Sequence, residues 1–312
     1  MPLIVVTTSP RVAPGLLSHQ AWQALRSGPV LTGSAAHPQL PYLAEAGVSV
    51  EVAEVDPRVL AVRAVGETVV WLASTSEKES EDFMRAVGHA AIALEEPPLI
   101  EVVPGSYDLP GGRVLDLVAV MDRLRTECPW DRKQTHESLV PYLLEEAYEV
   151  LETIEQGDYP ALREELGDLL LQVVFHARVA DDFDMDDVAA GIVEKLVRRH
   201  PHVFGSVRAE SADEVNDNWE AIKAAERAAK GRESVLDGVP MGQPALSLVA
   251  QLLRRASRAG APDSLAAAVG QGVARELFDL VRRAADGGLD AEAELRAAAR
   301  TYRDRVHAWE SA

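Results

Sequence analysis

The chain has 312 residues, of which 47% are hydrophobic and 26% are charged, and this composition indicates a globular protein with room for two or three domains. The formal net charge is −19, and no basic stripe typical of nucleic-acid-binding proteins is visible. No run of about 18 apolar residues predicts a membrane span, and the first residues lack the pattern of a secretory signal. Because Cys128 is the single cysteine, an intrachain disulfide is excluded. We therefore expect a cytoplasmic protein with neither a membrane nor a nucleic-acid partner.

The N-terminal part of the chain contains short β-rich runs that alternate with helical stretches such as 80–91. This alternation predicts a mostly parallel sheet with helices on its faces. The predicted strands are Leu3–Thr8, Pro29–Gly33, Val48–Val52, Val69–Ala73 and Leu99–Val103. The segment Pro104–Gly112 is rich in turn-forming residues, and it is predicted to be a linker that few contacts cross.

Beyond residue 112 the apolar residues recur at helical spacing, first at Val114, Leu117, Val118 and Met121. Further helices are predicted over about 139–154, 160–181 and 186–200, after the capping box Ser211-x-x-Glu214, and in the tail from about 242. The helix over 160–181 is apolar on nearly all sides and is predicted to be buried. Short connections favour an antiparallel bundle. The predicted fold is therefore mixed, with a small α/β domain over 1–108 followed by all-α bundle domains over 112–232 and 240–312.

Two of the predicted helices carry closely spaced acidic residues. One contains Glu145, Glu146 and Glu149, and the next contains Glu165 and Asp168. Residues three apart lie on the same face of a helix, and the short turn between these helices makes them antiparallel neighbours, so the acidic groups can face each other. Converging carboxylates repel one another unless a cation lies among them. Oxygen ligands suit Mg²⁺ or Mn²⁺, whereas a di-iron site would require Glu-x-x-His.

Acidic helix faces are more often solvated surfaces than metal sites. Two features of this sequence favour a metal site. Glu165 and Asp168 lie in a helix that is otherwise too apolar for a surface helix, and the acids of both helices lack the lysine at i+4 that usually accompanies a solvated charged face. The sequence therefore predicts a cluster of metal-binding carboxylates.

The acidic spacing and the residues around it resemble the MazG family of nucleoside triphosphate pyrophosphohydrolases. The matching motifs are Cys128-Pro-Trp-Asp-Arg-Lys-Gln-Thr-His136, Leu144-Glu-Glu-Ala-Tyr-Glu-Val150, Glu164-Glu-Leu-Gly-Asp-Leu-Leu170 and Lys195-Leu-Val-Arg-Arg-His-Pro-His-Val-Phe204. They occur in the family's order, and the resemblance covers about residues 112 to 232. It implies an enzyme that hydrolyses nucleoside triphosphates and their deoxy forms to the monophosphate and pyrophosphate, and that clears unwanted nucleotides from the cellular pool.

The resemblance also implies a role for individual residues. Glu146, Glu149, Glu165 and Asp168 would bind Mg²⁺, with Mn²⁺ as an alternative, and Glu145 would be an extra ligand or would position the attacking water. The residues that would bind the substrate are Lys195, Arg198, Arg199, Trp219 and Lys223, with Trp130 as a further candidate. Without the resemblance, these cations would equally suit a solvated helix end, and a tryptophan is more often part of a core. Family members pair their helices, so a homodimer or a higher homo-oligomer is expected.

The flanking regions carry weaker resemblances. The N-terminal part is similar to the first half of the tetrapyrrole methylases, but Thr7-Thr-Ser-Pro-Arg11 stands where that family has a Gly-rich loop. A degenerate scaffold domain is therefore expected rather than a site for S-adenosylmethionine. The tail is similar to a second MazG unit, which keeps Glu276 and Asp279 but lacks the preceding acidic helix, so it is expected to be inactive.

The predicted function is nucleoside triphosphate pyrophosphohydrolysis, and two alternatives are weighed against it. A non-catalytic, nucleotide-sensing helical scaffold would not need the complete set of acids together with the cationic and aromatic residues. A methyltransferase is opposed by the missing Gly-rich loop. The sequence leaves the preferred base and sugar open.

Overall fold

The computed structural model describes residues 2–208, 211–229, 231, 234–267 and 269–312 of the chain. They form two compact units, Met1–Ala189 and Ala190–Ala312. The first unit contains the whole α/β region and the first helices of the predicted central bundle. The limits 1–108, 112–232 and 240–312 stay a prediction, and Arg232 lies outside the described residues. Along the part of the chain that is described, no helix combines the length and the apolar character that crossing a membrane requires.

The first unit begins with the five-stranded parallel sheet that the sequence predicts. Its strands are β1 (Pro2–Thr7), β2 (Val30–Thr32), β3 (Val50–Val52), β4 (Val69–Leu72) and β5 (Leu99–Pro104), in the order β3-β2-β4-β1-β5. The helices between them are α1 (His19–Ala24), α2 (Leu40–Glu45), α3 (Pro57–Gly66) and α4 (Glu77–Ile92). Alternate side chains of a strand point to opposite faces of the sheet. Ile4 and Val6 of β1 accordingly belong to one apolar core, and Leu3 and Val5 belong to another.

Three helices follow the sheet in the first unit, α5 (Arg113–Glu127), α6 (His136–Gln156) and α7 (Tyr159–Val179). They share an apolar core, to which Met121 of α5, Leu139 of α6 and Val174 and Phe175 of α7 contribute. Because this core is continuous across the three helices, it fixes the position of each helix relative to the other two.

Local sequence explains where α6 ends and α7 begins. The end of α6 is marked by Gly157, whose φ of 72° lies in the left-handed region that favours glycine. The next residue, Asp158, is the N-cap of α7, and its carboxylate accepts a hydrogen bond from the backbone amide of Ala161. Two residues thus separate two long helices, and α6 and α7 form an antiparallel hairpin.

The burial of α7 is less complete than the sequence predicts. Val174, Phe175 and Ala177 are buried, but Leu166 is 49% exposed and Val173 is 37% exposed. The prediction that this helix is buried on nearly all sides is therefore wrong for the single chain. The physical reason is that α5 and α6 pack against α7 from the side on which the shared core lies, which leaves the opposite side uncovered.

In the described residues, the secondary structure after α7 consists of helices. They are α8 (Met185–Arg199), α9 (Pro201–Phe204), α10 (Ala212–Ala229), α11 (Ala245–Arg258), α12 (Ser264–Ala267), α13 (Val273–Asp286) and α14 (Ala291–Glu310). The first residues of α8 belong to the first unit, and the rest of these helices belong to the second. In the second unit α11, α13 and α14 pack on one another. The predicted fold class, a small α/β region followed by helices, is confirmed.

A cluster of charged side chains joins the sheet to α5 across the predicted linker. Arg11 follows β1, and its side chain is only 5% exposed. Its Nε and Nη2 donate to the carboxylate of Asp116 at 2.8 to 3.0 Å, and Nη2 also donates to Glu77 at 2.9 Å. Its Nη1 donates to Asp108. Arg11 thus pairs with acids from the linker, α4 and α5. Among the described elements, no strand or helix before the linker packs extensively on α5, α6 or α7, so the domain boundary at this segment stays a prediction.

We expect Arg11→Met to lower the melting temperature by several degrees, because Glu77, Asp108 and Asp116 would lose the cation that they share. Like charges left together repel, and Arg11 now holds the pKa of Asp116 below its ordinary value. The measurement is thermal unfolding followed by circular dichroism. The matched control is Arg85→Met, since Arg85 is exposed and pairs with the exposed Asp82 of its own helix at 3.4 Å. Equal melting temperatures for the two variants would contradict the role of the cluster.

Candidate functional site

The predicted acids lie together on the α6–α7 hairpin. Carboxylate oxygens of Glu146 on α6 and of Glu165 and Asp168 on α7 all lie within 4.8 Å of one another. Glu149 lies beside them, close enough to raise the pKa of both Glu146 and Glu165. The structure thus brings together the four residues that the sequence suggests as metal ligands. Glu145 is exposed beside them, where its charge acts on Glu146.

The acids of this cluster repel one another. The pKa of Glu146 is raised above its ordinary value of 4.5, first by partial burial and then by the charges of Asp168 and Glu149. The pKa of Glu165 is raised for the same reasons, with burial first and the charges of Glu149 and Asp168 next. A proton or a bound cation would relieve this repulsion. The donor set consists of carboxylate oxygens, which suit a hard divalent cation.

Two histidines join the far end of the same hairpin, and the sequence did not single them out. His136 at the start of α6 and His176 near the end of α7 stack with their rings at 3° and their centroids 5.2 Å apart. Their Nδ1 atoms are 2.8 Å apart, so one nitrogen donates a proton that the other accepts. Together with the Gly157 turn at the opposite end, this contact fixes the alignment of the two helices that carry the acids.

Trp130, the weaker candidate for nucleotide binding, packs on the helical core. Its ring is edge-on to Tyr142 of α6, with the centroids 5.9 Å apart, and to Phe175 of α7, with the centroids 6.3 Å apart. About half of the side chain is exposed. These contacts account for the position of the ring, and a role in binding a base stays a prediction.

The predicted substrate-binding residues lie on α8 and α10, in the second unit. Arg198 and Arg199 both donate to Glu226 of α10, Arg198 through Nε at 2.9 Å and Arg199 through Nη2 at 2.6 Å. Lys195 is exposed one turn before Arg199 on α8. The sequence did not single out Glu226, because an acid 27 residues away gives no local signal of its partner.

The aromatic part of the predicted set lies on the same pair of helices. Lys223 Nζ is 5.9 Å from the centroid of the Trp219 ring, a cation–π distance. The ring of His200, the residue after Arg199, has its centroid 5.5 Å from that of Trp219. The indole is about one-third exposed. An exposed aromatic face bordered by cations is the kind of surface that can stack on a nucleotide base.

Comparison with known proteins identifies the family of this chain. A family model described as the MazG nucleotide pyrophosphohydrolase domain matches residues 134–204. The chain is 52% identical over 221 residues to an uncharacterized 26.1 kDa protein of Streptomyces cacaoi, which covers 68% of this chain and 89% of the relative. It is 42% identical over 248 residues to the nucleoside triphosphate pyrophosphohydrolase of Mycolicibacterium smegmatis, covering 78% of this chain and 70% of that protein. The chain belongs to the MazG family. The nucleoside triphosphate pyrophosphohydrolase of Escherichia coli is 47% identical over 150 residues, which are 46% of this chain and 57% of that enzyme.

Membership of the MazG family confirms the predicted enzyme class. The relatives with an assigned function are named nucleoside triphosphate pyrophosphohydrolases, and the non-catalytic scaffold is not favoured. The matched range 134–204 includes the five acids and also Lys195, Arg198 and Arg199. Trp130, Trp219 and Lys223 lie outside it. The family is one of metal-dependent hydrolases, and the acidic cluster is consistent with that chemistry.

The tail resembles a degenerate MazG unit that keeps Glu276 and Asp279. Of these two acids, Asp279 forms an ion pair within the tail. Both oxygens of Asp279 accept hydrogen bonds from Arg275, at 2.6 and 2.8 Å, and Arg282 lies 3.5 Å away. These cations hold the pKa of Asp279 below its ordinary value. Within the described residues, the tail contains no group of three side chains placed to hold a metal ion. The inactivity of this unit stays a prediction.

Proposed function

We propose that the protein hydrolyses nucleoside triphosphates to the monophosphate and pyrophosphate, with Mg²⁺ held by Glu146, Glu149, Glu165 and Asp168. The observation that carries the proposal is the approach of three carboxylates to within 4.8 Å in a chain of the MazG family. The raised pKa values of Glu146 and Glu165 mean that a divalent cation offers these two acids more stabilisation than water does. Mn²⁺ suits the same oxygen donors.

The residues of the cluster divide the chemistry between them. A divalent cation bound here would supply a Lewis acid that neutralises charge on the leaving pyrophosphate and makes a neighbouring water more acidic. The four clustered carboxylates would hold that cation. Glu145 is exposed beside Glu146 and accepts a hydrogen bond from the attacking water. Attack in line on the α-phosphorus then breaks the bond to the pyrophosphate.

The cationic and aromatic residues bind the rest of the substrate in this proposal. Lys195, Arg198, Arg199 and Lys223 bind the triphosphate, because cations around a transferring phosphoryl group stabilise its developing charge. Trp219 stacks on the base. The support is the cation–π contact of Lys223 with Trp219 and the shared pairing of the two arginines, which put cations and an aromatic ring on the same two helices.

We also propose that the protein is a homodimer or a higher homo-oligomer. Two apolar stripes are exposed on the catalytic hairpin: Val140, Leu144 and Tyr148 recur every four residues on α6, and Tyr159, Leu166 and Val173 recur every seven on α7. A second copy of the chain would cover them. Sedimentation velocity at micromolar concentration is expected to show a dimer or a larger species. A fully active monomer at that concentration would contradict the proposal.

A cytoplasmic nucleotide pool is the proposed setting, where the enzyme would remove unwanted triphosphates. The net charge of −19 supports free nucleotides rather than nucleic acid as the substrate, because a polyanion would be repelled over a much larger surface.

The product analysis tests the reaction. Wild-type protein is incubated with Mg²⁺ and a panel of canonical and oxidised triphosphates in ¹⁸O-labelled water. We expect pyrophosphate rather than orthophosphate, and the label in the nucleoside monophosphate, because water attacks the α-phosphorus. Label in the pyrophosphate would show attack at the β-phosphorus, and release of orthophosphate would show cleavage at the γ-position. Either result would overturn the proposed mechanism.

A further inference from the structure

The carboxylate of Glu226 on α10 bridges the two arginines at the end of α8. Its Oε2 accepts a hydrogen bond from Nη2 of Arg199 at 2.6 Å, and its Oε1 accepts from Nε of Arg199 at 3.4 Å and from Nε of Arg198 at 2.9 Å. The side chains of Glu226 and Arg199 are 19% and 21% exposed. The contact with Arg199 is therefore partly shielded from water, where a charge-assisted hydrogen bond is stronger than at an open surface.

The same contacts keep the carboxylate of Glu226 ionised. Hydrogen bonds from Arg199 first, and then from Arg198, lower the pKa of Glu226 to about 2. The carboxylate consequently stays charged throughout the pH range of an enzyme assay. An arginine side chain is long and loses rotamer entropy when it is fixed, so an arginine that is already held binds an anion with less loss of entropy than a mobile one.

Glu226 also shares a helix face with the residues that are proposed to bind the nucleotide. It lies three residues after Lys223 and seven after Trp219, so the three side chains project from one side of α10. The Trp219 ring contacts His200, which directly follows Arg199. Glu226 thus shares one face of α10 with the proposed base-stacking residue and pairs with the proposed triphosphate-binding arginines.

We propose that Glu226 is a positioning residue, which holds Arg198 and Arg199 so that their outer N–H groups meet the phosphates of the substrate. A guanidinium carries five N–H donors. The contacts with Glu226 use two donors of Arg199 and one of Arg198, so that donors remain for phosphate oxygens. The inference rests on the proposed function, which assigns the two arginines to the triphosphate.

The test compares full-length wild type, Glu226→Ala and Glu226→Gln by steady-state kinetics with a nucleoside triphosphate and Mg²⁺. We expect KM to rise about tenfold in Glu226→Ala, which corresponds to about 1.4 kcal/mol. The rise is smaller in Glu226→Gln, because the isosteric amide oxygen still accepts one hydrogen bond. We expect kcat to change by less than about threefold, because the acidic cluster is intact. Asp286→Asn, an exposed acid at the end of α13, is the matched control and should leave both constants unchanged.

Inhibition by the nucleoside monophosphate separates positioning from a general structural role. The monophosphate lacks the β- and γ-phosphates, so its inhibition constant should stay at the wild-type value in both Glu226 variants. A disturbed fold would weaken the binding of the monophosphate as well as that of the triphosphate, and this result would overturn the proposal. An unchanged or a lowered KM in Glu226→Ala would also overturn it. Glu226 would then either have no effect on the binding of the triphosphate or keep the arginines from binding it.

A double-mutant cycle distinguishes this inference from the proposed function. In a background of Arg198→Ala and Arg199→Ala, adding Glu226→Ala should cause no further rise in KM, because Glu226 acts through those arginines. If the arginine substitutions themselves leave KM unchanged, the assignment of the arginines to the triphosphate fails, and the inference fails with it. If they raise KM whereas Glu226→Ala does not, the role of Glu226 alone is disproved.

Discussion

Asp168→Asn is expected to lower kcat by about a hundredfold or more at saturating Mg²⁺, since removing one group that stabilises charge in a transition state costs about 10² to 10³ in rate. A carboxylate oxygen of Asp168 lies within 4.8 Å of oxygens of Glu146 and Glu165. The amide keeps the size of the side chain but loses its charge. Glu149→Gln should have a similar effect, because the charge of Glu149 raises the pKa of an acid on each helix.

The thermal stability of Asp168→Asn is not expected to fall with its activity. The charge of Asp168 contributes to the raised pKa of Glu146, so Asp168→Asn relieves a repulsion and should leave the metal-free melting temperature unchanged or slightly higher. Asp182→Asn, which removes an equal charge from an exposed position after α7, is the control for both measurements. A loss of only a few-fold in kcat, or a lower melting temperature with a disturbed circular dichroism spectrum, would contradict the assignment of Asp168 as a ligand.

The elements of the α6–α7 hairpin were predictable because their signals are local. The spacing of the acids, three residues apart on each helix, defines a face without knowledge of any distant contact. The turn at Gly157 and Asp158 is equally local, since glycine favours a positive φ and aspartate caps the following helix. Strands such as β1 and β4 were found for the same reason, because uninterrupted β-branched and apolar runs are typical of buried parallel strands.

The long-range pairings could not be predicted in this way. Arg11 and Asp116 are separated by 105 residues, and Arg199 and Glu226 by 27. An isolated charge in a sequence carries no information about its partner, and a solvated charge is the more frequent outcome. The incomplete burial of α7 has a related cause. The apolar pattern of a helix shows how much of its surface avoids water, but not whether that surface is covered by the same chain or by a second copy.

The affinity for Mg²⁺ is expected to fall as the pH is lowered, and to begin falling at a higher pH than for ordinary carboxylates. Metal binding requires deprotonated ligands, and the pKa values of Glu146 and Glu165 are both raised above 4.5. If both acids must lose a proton, the half-saturating Mg²⁺ concentration should rise by up to about a hundredfold per pH unit below the two pKa values. Titrations of activity with Mg²⁺ at several pH values measure this dependence.

Unfolding experiments give a second measurement that does not depend on turnover. Because the folded-state pKa values of Glu146 and Glu165 are raised, the stability that these two groups contribute to the metal-free protein is fully present below about 4.5 and is lost as the pH rises through the raised values. Bound Mg²⁺ offsets that loss, so a fixed Mg²⁺ concentration should raise the melting temperature more at pH 8 than at pH 5.5. The gain in stability grows with the logarithm of one plus the ratio of the Mg²⁺ concentration to its Kd.

Glu164→Gln provides the most selective check of this explanation. Glu164 is exposed, has no proposed role in catalysis, and adds a charge that contributes to the raised pKa of Glu165. Removing that charge should bring the pKa of Glu165 closer to its ordinary value, so the midpoint of the pH-dependent loss of Mg²⁺ affinity moves to lower pH while the affinity at pH 8 stays near that of the wild type. The control Asp182→Asn should leave the midpoint unchanged. A shift to higher pH in Glu164→Gln, or an Mg²⁺ affinity that does not depend on pH, would show that the repulsion within the cluster does not govern metal binding.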